Sequence, residues 1–371
     1  MRFRVERDHL VEALALASRV AGTRAAQPVL GGARLRASLD PSAVVVTATD
    51  LDIAVARRAQ ADVAEPGDVV VQARLAHDVA RSLPSGPVDV GAPSPSSLEI
   101  KGERGRFELR TLPVEDFPRG PLLEGPSTQA ECPAPVLGEA FAQVARAASS
   151  DEARPILTGV LFAGDEDGIR LVATDSYRLA LRRLPGFSLV EPGKRALVPA
   201  RALSEVGRLT ADAEPVRMAV GEREARFEVG PSTLTTRLIE GEFIRYEQLI
   251  PERYPHRLMA DKTALSEAIR RVGLLAQNQI PVRIHLSSDA VVVRAENPDS
   301  GEAREEMGPE VKYEGEEMVV AFNQRYLTDG LESVTGETIS LEVLEPHKPA
   351  VIRSADEGGP DFLYLLMPVR I

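Results

Sequence analysis

The sequence has a single cysteine and no long apolar stretch, and each of these absences excludes a class of protein. Cys132 alone cannot form a disulfide within the chain, and a lone thiol suits a reducing cytosol. No segment approaches the roughly 18 uninterrupted apolar residues of a membrane helix. Residues 1–6 alternate in character and carry charge, unlike a signal peptide. We therefore expect a cytoplasmic protein with no membrane association.

The chain also lacks the common signatures of catalysis, phosphate binding and metal binding. It has no glycine-rich loop ending in Lys-Ser or Lys-Thr, no Gly-x-Gly-x-x-Gly after a strand and no His-Glu-x-x-His. The five histidines are scattered, and Cys132 lies in a proline-rich stretch. Asp50 and Asp175 each follow a predicted strand, where aspartate commonly serves a turn. We expect no catalytic residue, no metal site and no cofactor.

Charge is the next constraint. The formal net charge is −12, from 44 Lys and Arg against 56 Asp and Glu. Taken alone, this balance argues against a nucleic-acid-binding protein because Lys and Arg supply most phosphate contacts. It does not exclude a protein whose basic residues are gathered on one surface.

Short strings recur along the chain with a nearly constant shift, which predicts a duplicated domain. The first and second copies, 125 to 127 residues apart, are Pro28–Gly32 and Pro155–Gly159, Ala48–Asp50 and Ala173–Asp175, Ala73–Arg74 and Ala200–Arg201, and Phe117–Pro118 and Phe243–Ile244. Pro281–Arg283 and Ala295–Asn297 mark a fainter third copy. The alternative is chance similarity among α+β domains, which the constant shift disfavours.

Each copy opens with a helical pattern and contains a second, shorter one. Apolar residues spaced 0, 4, 7 place one stripe on each first helix. These residues are Leu10, Leu14 and Ala17, then Leu137, Phe141 and Val144, then Leu265, Ile269 and Val272. Asp8 and Asp261 are predicted N-caps for the first and third of these helices.

The second helices are predicted near 74–83, 201–209 and 324–334, and β-branched segments between helices predict strands. Stretches rich in proline and glycine separate the copies. We predict an α+β chain of three similar domains, at residues 1–122, 127–252 and 253–371.

Five strings occur in order along the chain: Arg24–Gly31, Asp151–Gly159, Thr174–Leu181, Phe322–Leu327 and Met367–Ile371. Together they resemble the beta subunit of bacterial DNA polymerase III, the replicative sliding clamp, over essentially the whole chain. The resemblance implies clamp-type domains of two helices plus antiparallel sheets each. It also implies two chains joined head to tail into a six-domain ring around duplex DNA. Such a chain is a processivity factor and a non-catalytic subunit of a DNA-directed DNA polymerase.

The resemblance implies a pocket for a short peptide between the Thr174 string and the C-terminal tail. An extended peptide would insert two or three apolar anchors, and the adaptable thioether of Met367 suits this contact. The implied pocket residues are Leu157, Thr174, Ser176, Tyr177, Arg178, Leu179, Ile244, Leu249, Leu365, Met367, Pro368, Val369, Arg370 and Ile371. The ordinary alternative is that Leu157 and Leu179 are core residues.

DNA contacts are implied in the same way. Arg24, Arg74 and Arg154 are expected to contact phosphates inside the ring, where the attraction must be independent of sequence if the ring is to slide. An acidic outer surface would confine DNA to the hole.

The implied dimer joins the first domain of one chain to the third domain of the other. Phe107 and Leu109, on an edge strand, are expected to face Leu274 and Leu275. The other implied partners are double-stranded DNA, the polymerase III catalytic subunit, the clamp loader and further proteins with a clamp-binding motif.

Three positions depart from the usual family pattern. Ile244 stands where proline is usual, Gln248 lies where a basic residue is common, and Tyr177 replaces a frequent histidine. These departures raise the alternative of a paralogous clamp, specialised for tolerance of a clamp-binding antibiotic or for DNA repair. A hypothesis of another class is an enzyme with its active site between repeats, which requires clustered ionisable residues that the sequence does not suggest.

Overall fold

The computed structural model describes residues 1–22, 27–210, 215–276, 280–309 and 311–370. The chain divides into two compact units. Unit 1 comprises Met1–Gly138 with Glu205–Leu238, and unit 2 comprises Glu139–Ser204 with Ile239–Ile371. The division therefore falls inside the second sequence repeat and not between repeats.

Each repeat contributes two α-helices, which confirms the mixed α+β fold. They are α1 (Arg7–Val20), α2 (Ala73–Ser82), α3 (Ala134–Ala145), α4 (Ala200–Leu209), α5 (Lys262–Val272) and α6 (Gln324–Ser333). Short 3-10 helices lie at Pro28–Gly31, Pro155–Thr158 and Tyr246–Leu249. No helix among the described residues is long and apolar enough to cross a membrane.

The predicted apolar stripes of α1, α3 and α5 are buried. Their middle residues Leu14, Phe141 and Ile269 have no exposed surface. The spacing of 0, 4, 7 therefore places one face of each helix in a hydrophobic core, and this burial stabilises the helix more than its intrinsic propensity does.

One of the two predicted N-caps is confirmed. The Asp261 carboxylate accepts a hydrogen bond from the Ala264 N–H at 2.7 Å. The other is wrong, because the first strand runs directly into α1 and leaves Glu6 in the N-cap position without a side-chain hydrogen bond. Asp8 instead lies in the first turn, where a carboxylate interacts favourably with the helix dipole.

The described chain also contains twenty-five strands. The first thirteen are β1 (Arg2–Glu6), β2 (Gly32–Leu39), β3 (Ser42–Thr49), β4 (Ile53–Glu65), β5 (Gly67–Gln72), β6 (Pro87–Ser94), β7 (Ser97–Lys101), β8 (Arg106–Leu112), β9 (Thr128–Cys132), β10 (Gly159–Asp165), β11 (Gly168–Thr174), β12 (Arg178–Pro185) and β13 (Arg195–Pro199). The other twelve are β14 (Val216–Val220), β15 (Glu224–Val229), β16 (Ser232–Arg237), β17 (His256–Asp261), β18 (Val282–Leu286), β19 (Val291–Asn297), β20 (Gly301–Glu306), β21 (Lys312–Glu314), β22 (Met318–Phe322), β23 (Thr338–Val343), β24 (Ala350–Ser354) and β25 (Phe362–Leu366).

The sheets are antiparallel, and each lies within one unit. Unit 1 holds twelve strands in the order β1-β6-β7-β8-β5-β2-β3-β4-β16-β15-β14-β9, and β1 pairs also with β4. Unit 2 holds a nine-stranded sheet, β13-β10-β11-β12-β25-β24-β23-β17-β21, and a four-stranded sheet, β20-β19-β18-β22.

One strand pair in each unit joins successive repeats. In unit 1, β4 of the first repeat pairs with β16 of the second, with Val55 opposite Leu234. In unit 2, β12 of the second repeat pairs with β25 of the third, with Ala180 opposite Tyr364. Because β4 and β12 follow the same repeated string, the chain uses the same joint twice.

Candidate functional site

The turn between β11 and β12 is fixed by side chains of its own residues. Thr174 Oγ1 donates to the carbonyl of Arg178 at 2.6 Å and accepts from the Ser176 N–H at 3.1 Å. Asp175 Oδ1 accepts from the N–H groups of Tyr177 at 2.9 Å and Arg178 at 3.1 Å. Ser176 has a φ of 83°, a conformation that costs free energy in a residue other than glycine. These bonds hold that conformation and leave Ser176 and Tyr177 exposed.

The first repeat builds the same turn between β3 and β4. Thr49 Oγ1 donates to the Ile53 carbonyl at 2.8 Å, and Asp50 Oδ1 accepts from the Ile53 N–H at 2.8 Å. Leu51 shares the φ of 83°. Asp50 and Asp175 are thus each engaged by the backbone of their own turn, as turn chemistry predicts.

The C-terminal residues run alongside the turn between β11 and β12. Pairing of β25 with β12 continues past the end of β25, because the Met367 N–H donates to the Tyr177 carbonyl at 2.9 Å. Further on, the Val369 N–H donates to the Ala321 carbonyl at 2.7 Å. Two strings that are distant in the sequence therefore lie side by side.

Two residues of the predicted sites, Arg24 and Ile371, lie outside the described part of the chain. In the tail just before Ile371, Pro368 and Val369 are half-buried and Arg370 is exposed. The tail is therefore placed as far as Arg370.

Arg178 lies beneath the turn with its guanidinium almost fully buried. Its Nε donates to Asp175 Oδ2 at 2.9 Å, and its Nη1 pairs with Asp329 and lies 3.3 Å from the Tyr364 hydroxyl. The guanidinium carbon lies 4.5 Å from the centre of the Tyr326 ring. Burial alone would lower the pKa of Arg178, but Tyr364 and the two carboxylates outweigh burial and raise it. Arg178 is thus a permanently charged residue that supports the turn from inside.

Four large apolar side chains are exposed around the turn, the tail and the segment 239–250. They are Tyr177, Ile244, Leu249 and Met367. Only one other large apolar side chain is exposed in the described part of unit 2, namely Leu274. Tyr177 is 57% exposed and Met367, which bonds to its carbonyl, is 38% exposed. Exposed apolar side chains concentrated in one region are typical of an interaction site.

Three of the predicted pocket residues are covered by the rest of the chain. Leu157, Leu179 and Leu365 are all more than nine-tenths buried. Leu179 and Leu365 lie opposite each other on β12 and β25 and share a hydrophobic cluster with Phe243 and Tyr246. They support the exposed residues from below.

The segment 239–250 packs onto the same cluster. Phe243 and Tyr246 meet edge to face with ring centres 6.4 Å apart. Gly241 has a φ of 130° and passes so close to Ile156 that a Cβ would lie 2.8 Å from its Cδ1. Glycine suits this position because other residues rarely adopt its φ, and a Cβ would also force the Ile156 side chain to shift. Held in this way, the segment keeps Ile244 exposed beside the core.

Tyr326 and Asp329 on α6 are functional candidates that the sequence reasoning missed. The Tyr326 ring stacks on Tyr177, with ring centres 6.1 Å apart and an interplanar angle of 22°. Asp329 pairs with Arg178. The helical pattern of α6 predicts its location in the chain but not that it lies against a turn of the preceding repeat.

The other two predicted DNA-contacting arginines have different surroundings. Arg74 is exposed in the first turn of α2 and has no ion-pair partner among the described residues. Arg154 Nε donates to Asp151 Oδ2 at 3.0 Å, and its Nη1 donates to Ser176 Oγ at 3.3 Å. Arg154 therefore lies beside the strained turn of the candidate site.

The four residues predicted for the dimer interface differ in exposure. Phe107 is exposed on β8, whereas Leu109 is buried. Leu274, just past α5, is 69% exposed, and Leu275 is half-buried. β8 pairs with β7 along Arg106–Arg110 but with β5 only at its last two residues. Within the described chain, Arg106–Arg110 thus has one open edge.

Reactive groups are sparse in the part of the chain that the structure describes. It contains no group of three or more His, Cys, Asp or Glu side chains arranged to hold a metal ion. Cys132 is buried at the end of β9, and burial raises the pKa of its thiol to about 11. The thiol is therefore protonated, and a poor nucleophile, at neutral pH.

Comparison with known proteins finds relatives along the whole chain. Three family models match in order: the N-terminal, central and C-terminal domains of the DNA polymerase III beta subunit, at residues 1–121, 131–244 and 247–370. The beta sliding clamp of Streptomyces coelicolor is 33% identical over 100% of both chains. Two crystal structures of sliding clamps bound to griselimycin, from Pseudomonas aeruginosa and Bartonella birtlesii, match with TM-scores of 0.89 at 29% and 28% identity, each over 100% of both chains.

Proposed function

The chain belongs to the beta sliding clamp family of bacterial DNA polymerase III, and we propose that it tethers partner proteins to DNA through the exposed apolar site beside the β11–β12 turn. Members of this family are non-catalytic processivity factors of replication. Curated relatives such as those of Streptomyces coelicolor and Escherichia coli carry the name beta sliding clamp, and nothing in these matches favours a specialised paralogue. The domains of the clamp are proposed at residues 1–122, 127–252 and 253–371.

The proposed ligand is a short peptide with apolar anchors, lying between the turn and the tail. Tyr177, Ile244, Leu249 and Met367 would bury their exposed surface against it. The turn is already fixed by its own hydrogen bonds and by Arg178, so little ordering entropy is lost on binding. Two similar clamps that bind griselimycin support the assignment of a ligand site to this fold.

The proposed partners follow from this mode of binding. The polymerase III catalytic subunit, the clamp loader and other proteins with the same motif would compete for one site per chain, as the same few anchors serve each of them. The polymerase activity of the holoenzyme would reside in a partner and not in this chain. Replication of the chromosome would place the protein in the cytoplasm.

Double-stranded DNA is the other proposed partner, held inside the ring through phosphates. Arg24, Arg74 and Arg154 are the proposed contacts. The exposure of Arg74 without a carboxylate partner in the described chain supports its role. Attraction to phosphates alone gives binding without sequence preference, which sliding requires.

The ring is proposed to close through a strand pair between two copies of the chain, of the same kind as the pairs β4–β16 and β12–β25 within one chain. β20 occupies in the third repeat the place of β4 and β12, and it is the edge strand of its sheet. β8 occupies in the first repeat the place of β16 and β25, and its stretch Arg106–Arg110 has an open edge. Extending the two observed registers would place Phe107 opposite Ala303 of a second copy. Unpaired strand edges of this kind are templates for pairing.

The observation that carries the proposal is that four of the five large apolar side chains exposed in the described part of unit 2 lie on the β11–β12 turn, the tail and the segment 239–250, and that β12, β25 and this segment share one hydrophobic cluster. The test is the affinity for a labelled peptide with a Gln-Leu-x-Leu-Phe pattern, measured by fluorescence anisotropy. Leu249→Asp should weaken binding strongly, and Leu39→Asp, at a more exposed leucine of unit 1, should not. Equal affinity of both variants and the unaltered protein would show that the site lies elsewhere.

A further inference from the structure

The first repeat makes the same turn as the candidate site but with an apolar residue at the position of Arg178. In the β3–β4 turn, Thr49 Oγ1 donates to the Ile53 carbonyl at 2.8 Å. In the β11–β12 turn, Thr174 Oγ1 donates to the Arg178 carbonyl at 2.6 Å, so Arg178 occupies the position of Ile53. One residue of each turn has a φ of 83°. Ile53 is 2% exposed, so a buried apolar side chain suffices for this turn conformation.

Arg178 is therefore not required by the shape of the turn, and burying it costs free energy. A guanidinium and a carboxylate lose their hydration on burial, and their mutual attraction often only balances this loss. Apolar residues of similar volume are often equally stabilising or more so. What the ion pair adds is direction, because the N–H groups of a guanidinium bond in fixed orientations. The gain therefore lies in what Arg178 holds in place.

The side chain of Arg178 connects the turn to α6. Its Nη1 donates to Asp329 Oδ2 on α6 and to the Tyr364 hydroxyl at 3.3 Å. The Tyr364 hydroxyl donates in turn to the Tyr326 carbonyl on α6 at 3.0 Å. The Tyr326 ring also stacks on Tyr177. The turn is thus tied to the first two turns of α6 by an ion pair, a chain of hydrogen bonds and a ring contact.

The same helix also holds the C-terminal tail. β22 leads through Asn323 into α6, and Asn323 Oδ1 accepts from the Tyr326 N–H at 3.2 Å as the N-cap. Two residues before this cap, the Ala321 carbonyl accepts from the Val369 N–H at 2.7 Å. The strand pairing of β12 with β25 continues to the backbone bond between Met367 and the turn. Beyond that bond, α6 is an element to which both the turn and the tail are attached.

The buried arginine occurs at the turn that has the apolar site and not at its counterpart. In the first repeat, the Arg237 N–H donates to the Asp52 carbonyl at 2.9 Å, just as the Met367 N–H donates to the Tyr177 carbonyl. Two exposed charged side chains thus stand where the candidate site has two exposed apolar ones. The arginine therefore accompanies the apolar surface and not the turn conformation.

We propose that Asp329 is a positioning residue of the peptide site. By holding Arg178, Asp329 fixes the β11–β12 turn to α6, and α6 thereby sets the separation between the turn and the tail. A peptide that inserts between them meets two sides already at the required separation, so little ordering entropy is lost on binding. This inference rests on the proposed peptide site and adds the element that sets its width.

The first test compares two carboxylates of α6. Asp329→Asn removes the charge that holds Arg178, and the affinity for the labelled Gln-Leu-x-Leu-Phe peptide should fall about tenfold, the loss expected for a hydrogen bond between charged groups. Glu332→Gln is the matched control, because Glu332, one helical turn further along α6, pairs with Arg146 instead. This control should bind the peptide as tightly as the unaltered protein. An unchanged affinity in Asp329→Asn, or an equal loss in Glu332→Gln, would overturn the positioning role.

The second test separates positioning from stability. The triple variant Asp175→Asn, Arg178→Ile and Asp329→Leu replaces the ion-pair network by neutral side chains. Asparagine can still accept the two backbone N–H bonds of the turn, and isoleucine is the residue of the first repeat at this position. The midpoint of urea unfolding should not fall, whereas the peptide affinity, measured without urea, should still fall about tenfold. Unchanged affinity, or a loss that appears only with a lower midpoint, would show that the network does not position the site.

The third test examines the link to the tail. In a chain that ends at Leu366, the turn has no tail from which to be separated, and residues of one network do not act additively. Asp329→Asn should therefore lower the remaining peptide affinity of the shortened chain by no more than about twofold. A tenfold loss in the shortened chain as well would show that Asp329 holds the turn alone, and would overturn the role of α6 in setting the width.

These results are distinguishable from a failure of the peptide site itself. If Leu249→Asp binds the peptide as tightly as the unaltered protein, the site is misplaced and this inference falls with it. If Leu249→Asp weakens binding and Asp329→Asn does not, the peptide site stands and the positioning role of Asp329 is wrong. Circular dichroism checks that each variant is folded under the conditions of the binding measurement.

Discussion

Removing the tail from Met367 onwards should abolish most peptide binding and spare the dimer. The deletion removes the exposed side chain of Met367 and two backbone hydrogen bonds, to the carbonyls of Tyr177 and Ala321. β25 ends at Leu366, so its pairing with β12 is retained. The site would lose one side while the fold beneath it persists.

The size of the effect follows from the number of anchors. A buried anchor in a peptide interface typically carries about 2 kcal/mol or more, which corresponds to roughly a thirtyfold loss of affinity. Tyr177, Leu249 and Ile244 remain after the deletion, so binding should become weak but measurable. Met367→Ala keeps both backbone bonds, and its smaller loss would report the side chain alone.

Fluorescence anisotropy with a Gln-Leu-x-Leu-Phe peptide measures the affinity, and sedimentation measures the assembly. A scrambled peptide is the control for sequence-independent attraction. If the shortened chain stays dimeric and binds the peptide as tightly as the full chain, the tail is no part of the site. The proposed mechanism would then be wrong.

Three further expectations concern the ring, DNA and the turn. Leu274→Ala combined with Leu275→Lys should give monomers in sedimentation, since it removes an exposed apolar residue and adds a charge; a persisting dimer would refute the assigned interface. Arg74→Ala and Arg154→Ala should each flatten the log–log salt dependence of DNA affinity by about 0.9, and two unchanged slopes, or a preference for one DNA sequence, would argue against phosphate contacts. Thr174→Val removes two hydrogen bonds made by a buried hydroxyl and should destabilise the fold by about 1–3 kcal/mol in urea unfolding, whereas an unchanged midpoint would mean that the hydroxyl does not hold the turn.

Much of the fold was predictable from the sequence because the chain repeats its own local signals. The 0, 4, 7 stripes predicted the first helices, and the recurring Ala-Thr-Asp strings marked equivalent turns. Turn chemistry of this kind depends on residues a few positions apart, which a sequence displays directly. The Asp8 cap failed because β1 leads straight into α1, and continuity between a strand and a helix is not visible in a capping pattern.

The candidate site was only partly predictable. The burial of Leu179 beneath Tyr177 depends on the hydrophobic cluster that β12, β25 and the segment 239–250 form together. Tyr326 and Asp329 reach the turn only because α6 of the third repeat lies against it. The sequence shows the apolar character of these residues but does not show which of them the fold leaves exposed.

The second repeat supplies strands to both units, β9 and β14–β16 to one and β10–β13 to the other. If residues 127–252 were excised, the fragment would have two unpaired strand edges, because β16 would lack β4 and β12 would lack β25. The second repeat therefore has one edge strand for each neighbouring repeat, β16 for the first and β12 for the third. It is not a domain that could be transferred alone to another protein by recombination. Its sequence resembles an independent domain, but because its strands pair with both neighbouring repeats, we expect the three repeats to be inherited together.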